Sequence, residues 1–313
     1  MKRKLIQFIS ILFVLLFFCA CSKDSGEPSA TVKGDEGNSL DSVTIGFSVA
    51  SYDDPFYAKL REGAESRARE LGLGMIPMDA MNEWEKQIKD IEYLLQQDVD
   101  ILIIIPTHTR ELASVIEKAN EANIPVITLD HKVDGGEVVA HVGSDQVAGG
   151  KMAGKLFSEH IEAGKVIELT ESPFLSTNRE RSQGLMEAID HVRDVFYAFS
   201  ETAGFDRTNS IEVTKKLLDA PGRIFRGILA HSDEIALGAL EVFAEYGIED
   251  ITLIGFGGTD EAIQAVKDGR MLATISQNPE LMGAMGVETA HKVLIGENVE
   301  EFIPVELEVI MKE

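Results

Sequence analysis

The stretch Val43–Tyr57 reads VTIGFSVASYDDPFY. Its first half, Val43–Val49, is an apolar run rich in β-branched and aromatic residues, the pattern of a buried strand. Ser51, Tyr52, Asp53 and Asp54 then supply turn and N-cap chemistry, and Pro55 suits the first turn of a helix. A helical pattern runs on to about Leu71, so strand, polar loop and helix follow one another directly. In open parallel sheets, ligands bind at the carboxyl ends of the strands. This loop places carboxylates there, which accept hydroxyl hydrogen bonds, beside two rings, Phe56 and Tyr57, suited to covering apolar C–H faces. The same rings also suit a first helical turn packed on a core, and the stretch alone leaves both readings open.

Outward from this unit, short apolar runs alternate with longer amphipathic ones. Gly74–Met78, Ile101–Ile105, Val126–Leu129 and Val138–Val142 read as strands, separated by helical patterns over Trp84–Gln97 and Glu111–Ala122. A second series follows. Its strands are Val166–Leu169, Val195–Phe199, Ile224–Ala230, Ile251–Ile254 and Leu272–Ser276. Its helices are Val147–Ile161, Asn178–Ile189, Thr208–Leu218, Ile235–Tyr246, Asp260–Lys267 and Leu281–Ile295. Two short segments, Phe302–Val305 and Leu307–Met311, close the chain. Such alternation predicts an α/β protein with parallel sheets and helices on both faces. Right-handed crossovers put every carboxyl end on one edge of its sheet. A length of 313 residues exceeds what one core usually holds, so two lobes are expected, facing each other across a cleft.

The N-terminus reads as a targeting segment. Lys2, Arg3 and Lys4 precede the apolar run Leu5–Ala20, which is short for a membrane span. The run ends FCACS, which resembles a bacterial lipoprotein signal with cleavage before Cys21 and lipid attachment to its thiol. Residues 1–20 are thus expected to be removed, and residues 21–41, rich in Gly and Ser, to form a flexible tether. Both cysteines of the chain lie in this segment, so the body has no disulfide and no cysteine metal site. The chain carries 29 basic and 53 acidic residues, a formal net charge of −24, and loss of Lys2, Arg3 and Lys4 takes it to −27. That charge repels nucleic acid and anionic lipid, so the only membrane contact expected is through the anchor.

Motifs of catalysis are missing from the sequence. There is no GxxxxGK[ST] loop, no GxGxxG after the first strand, no GxSxG elbow and no HExxH. The seven histidines are scattered and none stands at helical metal-ligand spacing from another. No catalytic residue, cofactor or metal is expected. Polar residues gather at strand ends, which suits binding as well as chemistry.

Several blocks, in order, resemble the ribose-type periplasmic sugar-binding proteins, the soluble receptors of ABC importers. They are ASVIEKANEANIPVITLD at 113–130, GSDQVAGGKMAG at 143–154, RERSQG at 179–184, GFDR at 204–207, SDEIALGAL at 232–240 and IGFGGT at 254–259. The resemblance covers nearly all of residues 43–313. It implies two Rossmann-like lobes, 42–144 plus 278–306 and 145–277 plus 307–313, joined by three hinge crossings around a central cleft. It implies a non-enzymatic monomer that closes on a sugar-like ligand and presents it to the importer's membrane subunits.

The resemblance also assigns roles. Phe56, Tyr57 and Phe205 match the aromatic positions that sandwich the sugar ring, and Asp130, Arg181 and Gln277 match positions that hold ring hydroxyls. Asp54, Ile105, His131, Ser232 and Gly257 depart from the ribose pattern. Asp54, His131 and Ser232 remain ligand-contact candidates, His131 with a side chain suited to titrating near neutral pH. The loss of a side chain at Gly257 is expected to enlarge the pocket. With these partners changed, the expected ligand is something other than ribose: another pentose, a deoxy or branched sugar, a polyol, a furanosyl-like signal molecule or a nucleoside. A receptor read by a chemoreceptor or sensor kinase would carry the same cleft.

Overall fold

The computed structural model describes residues 43–221 and 225–312. The signal segment, Cys21 and the tether lie outside the described residues, as does Ile224, where the sequence pattern begins a strand. The first elements are β1 (Thr44–Val49), α1 (Pro55–Leu71), β2 (Gly74–Asp79), α2 (Trp84–Leu95), β3 (Ile101–Ile104), α3 (Ala113–Glu121), β4 (Val126–Leu129) and β5 (Ala140–Gly143). Then come α4 (Gln146–His160), β6 (Gly164–Thr170), α5 (Ser176–Ile189), β7 (Val195–Thr202), α6 (Arg207–Asp219), β8 (Phe225–Ala230) and α7 (Asp233–Tyr246). The chain ends with β9 (Thr252–Gly257), α8 (Asp260–Lys267), β10 (Ala273–Ser276), α9 (Pro279–Leu294), β11 (Phe302–Pro304) and β12 (Glu308–Met311).

These form two six-stranded sheets, one per lobe. The first has the order β11-β5-β4-β3-β1-β2, with every pair parallel. The second has the order β12-β10-β9-β8-β6-β7, parallel except at one edge. There β12 runs antiparallel to β10, with Ala273 opposite Met311. The sheets are parallel as the sequence pattern predicts, with this one antiparallel edge. The chain passes between the sheets after β5, after β10 and after β11.

Local chemistry sets the elements that frame the cleft. Asp54 caps α1 by accepting the Phe56 N–H at 2.8 Å, Pro55 occupies the first helical position, and Gly72 ends the helix at φ 71°. Strands β3 and β4 are buried along their whole length, as expected of central strands of a parallel sheet covered on both faces. In the second lobe α4 and α5 pack backbone to backbone. A Cβ at Gly150 would stand 2.0 Å from the Arg181 carbonyl oxygen, and one at Gly184 would stand 2.0 Å from that of Val147. Only glycine permits this approach, which fixes the turn of α5 carrying Arg181.

Candidate ligand-binding site

Between the sheets lies a narrow cleft whose enclosed space is about 20 Å³, room for about one water molecule. Its wall includes Asp54, Phe56, Tyr57, Asp130, Arg181 and Gln277, six of the nine residues singled out from sequence as ligand contacts, and Ser232 is a seventh. Three of the seven reach it from strand ends, and the other four from the start of α1 and from α5. Asp130 follows β4 directly, Gln277 follows β10, and Ser232 stands just beyond β8. Asp130 holds a left-handed backbone, φ 59°, which is rare outside glycine but tolerated by Asp and found where a structure fixes a functional side chain.

The polar groups form one chain across the cleft. Gln277 donates through Nε2 to Asp130 Oδ1 at 3.1 Å and accepts at Oε1 from Arg181 Nη2 at 3.3 Å. Arg181 also donates through Nε to Gln146 Oε1 at 2.7 Å and through Nη1 to the His231 carbonyl oxygen. Its guanidinium lies flat on the Phe256 ring, 3.9 Å from the centroid. Arg181 is 2% exposed, so it is not a surface helix residue paired with Glu180. Glu180 instead meets Lys132 of the other lobe at 3.0 Å. Phe56 and Tyr57 are edge-to-face, 5.3 Å between centroids. They belong to the first lobe's core and line the cavity at once.

Three expectations change in the structure. His131 is 2% exposed and sits behind the wall, with Nε2 3.0 Å from the Tyr57 hydroxyl and Nδ1 3.1 Å from Thr177 Oγ1. Burial pulls its pKa down from the usual 6.5, so it is a neutral spacer behind Tyr57 rather than a group titrating near neutral pH. Phe205 lines a separate outer recess with Ser51, Asp53, Met81 and Asn82, and only Asp54 and Glu234 border both spaces. At Gly257 the pocket does not grow. A Cβ there would meet Asp233 Oδ2 at 3.0 Å and Phe56 Cδ2 at 3.6 Å, because those side chains already fill the space. Ile105, the remaining departure from the ribose pattern, is fully buried in the first lobe's core.

The sequence reading missed Glu171, Asp233, Glu234, Phe256 and Thr259. Asp233 is occupied by the protein itself: it accepts from the Gly258 and Thr259 N–H groups and from Thr274 Oγ1, each at 2.7 Å. Glu234 pairs with Arg207 at 3.0 Å. Glu171 is different, being 7% exposed with Oε2 lacking any hydrogen-bond partner. Burial is the largest cause that raises its pKa, to about 8, with Asp130 and Asp54 adding to it and Arg181 opposing. Burial likewise raises Asp54 to about 7, opposed by the Phe56 N–H. Among the described residues no group of three or more side chains is arranged to hold a metal ion, and no helix is long and apolar enough to cross a membrane.

Two facing α/β lobes with a polar, aromatic-lined cavity at their strand ends define a bilobal solute-binding protein. The chain belongs to the periplasmic binding protein domain family, whose model matches residues 45–298. It is 42% identical over 268 residues to the ribose import binding protein RbsB of Haemophilus influenzae, covering 85% of this chain and 91% of that one. Against RbsB of Bacillus subtilis the identity is 37% over 305 residues, covering 96% and 98%. Among solved structures, an ABC transporter solute binding protein from Mycobacterium smegmatis with bound glycerol superposes with a TM-score of 0.82 at 29% identity, covering 87% of this chain and 94% of that one.

Proposed function

We infer that this protein captures a sugar or sugar-like molecule between its lobes, outside the cytoplasm, and delivers it to an ABC importer. The observation that carries the reading is the hydrogen-bond chain Arg181–Gln277–Asp130, which spans both lobes at the wall of one aromatic-lined cavity. Phe56 and Tyr57 cover the ring, Asp130, Arg181, Gln277, Asp54 and Ser232 meet its hydroxyls, and Phe205 guards the mouth. The lobes, 42–144 with 278–306 and 145–277 with 307–313, rotate about the crossings near Ser144, Gln277 and Glu306. Ligand bridges them and shifts the population toward the closed form that the importer's membrane subunits recognise. The protein works as a monomer held to its membrane by a lipid on Cys21 after removal of residues 1–20. Cys21→Ser should release it from the membrane fraction.

The test of function is a thermal-shift screen of the purified protein against pentoses, hexoses, deoxy sugars, polyols and nucleosides. A ligand at about 100 times its Kd stabilises by about 2.7 kcal/mol. A clear shift with one class supports the reading, and silence across all classes with folded, ligand-free protein overturns it. A strong response to ribose would instead show that the five departures left the ribose site intact.

A further inference from the structure

The cavity's charges do not balance. Asp54, Asp130, Glu171, Asp233 and Glu234 line it, and Arg181 is the one cation of the wall among the described residues. Asp233 and Glu234 are satisfied by their own lobe, as described above. Asp130 is held by Gln277 and stands 3.4 Å from the Tyr57 hydroxyl. Arg181 already donates from Nε, Nη1 and Nη2 to protein acceptors. What remains is Glu171, buried with a bare oxygen, and Asp54, whose Oδ1 alone is engaged, by the helix N–H it caps. A neutral ring offers such carboxylates hydroxyl donors but no countercharge, and a buried carboxylate without one is costly. A bare metal ion would need converging ligands, and among the described residues no such group exists. An ammonium group brings three donors and the missing positive charge at once.

We propose that the ligand is an amine-bearing polyhydroxylated ring, an amino sugar or aminocyclitol, whose ammonium group is taken by Glu171 with Asp54. The proposal rests on the sugar-site reading and narrows it. Glu171 follows β6 and Asp54 precedes α1, so the amine would bridge the lobes at a second point beside the Asp130–Gln277 pair. The groups around Glu171 are Asp54 and Tyr57 from the first lobe's helix, Asp130 from the end of β4, and Arg181 from α5. In the empty closed form burial holds much of Glu171 and Asp54 protonated at neutral pH. An ammonium ion supplies the countercharge that keeps both carboxylates ionised in the closed site, whereas closure around a hydroxyl in its place draws protons onto them, so fewer protons are taken up with the amine.

The experiment is calorimetric titration of the full-length protein near pH 7 with matched pairs. These are D-glucosamine with D-glucose, D-galactosamine with D-galactose, 3-amino-3-deoxy-D-ribose with D-ribose, and scyllo-inosamine with scyllo-inositol. At least one amine should bind about tenfold or more tighter than its hydroxyl partner. Repeating that pair in buffers of different ionisation enthalpy should show fewer protons taken up with the amine than with its hydroxyl partner. Glu171→Gln, verified as folded by its melt, should cut the amine-to-hydroxyl ratio by about tenfold. A hydroxyl partner that binds as well as its amine in every responding pair overturns the proposal and leaves the sugar-binding function standing. So does an amine preference that comes with the same proton uptake as its hydroxyl partner and survives Glu171→Gln. If no member of any pair binds, this proposal falls, and the broader thermal-shift screen decides whether the sugar-site reading falls with it.

Discussion

Asp130 and Glu171 are both buried carboxylates, each directly following a strand, one in each lobe, on the wall of one cavity. Their circumstances are opposite. Asp130 has a left-handed backbone that aims it, Gln277 on one oxygen and the Tyr57 hydroxyl near the other. Glu171 has a bare oxygen and a pKa raised by burial. The difference separates two kinds of site residue. One is finished by the protein and held in place before the ligand arrives. The other is left without a protein partner on one oxygen.

The largest effect should come from the cation both carboxylates share. Arg181→Met keeps the stem over Phe256 but removes the donor to Gln146, to the His231 carbonyl and to Gln277. Breaking a buried, hydrogen-bonded charge network from one side costs about 3–5 kcal/mol. Chemical denaturation of the ligand-free variant should show that loss. A loss below about 1 kcal/mol would mean the network is not organised around Arg181.

Asp130→Asn tests the comparison directly. The amide keeps one acceptor oxygen and puts a donor in place of the other, so either Gln277 Nε2 or the Tyr57 hydroxyl loses its acceptor. A hydrogen bond to a charged group is worth about 1.5–3 kcal/mol, so binding of any responding ligand should weaken by about 10- to 150-fold, and the empty protein should lose stability too. Glu171→Gln should weaken ligand binding without that loss in the empty protein, because no protein partner is stranded. Equal destabilisation by the two variants would erase the distinction between them.

How much of this could be read from the chain differs by element. The framework came through because periodicity and caps are local signals: Asp54-Pro55 opens α1, and the run ILII makes a central strand. Boundaries shifted by a residue or two, as at α3, which begins at Ala113 rather than Glu111. The direction of β12 was not legible, since an edge strand's orientation depends on which neighbour it meets, not on its own alternation. Asp130, Arg181 and Gln277 stood out by position and by resemblance. Glu171 did not, although its place just after β6 is the same signal that marks Asp130 after β4. Phe256 was hidden for another reason: the buried guanidinium stacked upon it comes from a helix distant in sequence. His131 misled because a strand-end histidine looks available in sequence, whereas folding brings the Tyr57 hydroxyl, 74 residues away along the chain, against its ring.

A milder probe uses pH without mutation. A carboxyl with a raised pKa in the closed form binds its proton more tightly closed than open. Closure of the empty protein is therefore favoured at low pH and loses that advantage as pH rises toward about 7 for Asp54 and about 8 for Glu171. The radius of gyration of the ligand-free protein, measured by small-angle scattering, should grow between about pH 5 and about pH 9. Glu171→Gln should leave only the lower, Asp54 part of that change. A radius independent of pH would show that these two carboxyls do not oppose closure.

The smallest effect is expected away from both carboxylates. The Phe174 ring stacks on His108 at 4.8 Å with 19° between planes, and Trp84 meets the same imidazole edge-on at 6.3 Å. His108 follows β3 and Phe174 precedes α5, so the stack spans the lobes. Backbone bonds flank it: the Thr109 N–H donates to the Phe174 carbonyl at 3.2 Å, and the Ser176 N–H to Thr109 Oγ1 at 3.1 Å. Phe174 is still 57% exposed, so it adds little to either core. Phe174→Ala removes the ring and keeps the backbone bonds. An aromatic pair contributes about 0.5–1.5 kcal/mol beyond its buried area, so affinity should fall by about two- to tenfold, chiefly through faster release. Because the stack steadies closure and touches no ligand, that loss should be the same for an amine and for its hydroxyl partner. A change in their ratio would mean that lobe geometry, rather than the contrast between Asp130 and Glu171, sets what the cavity selects.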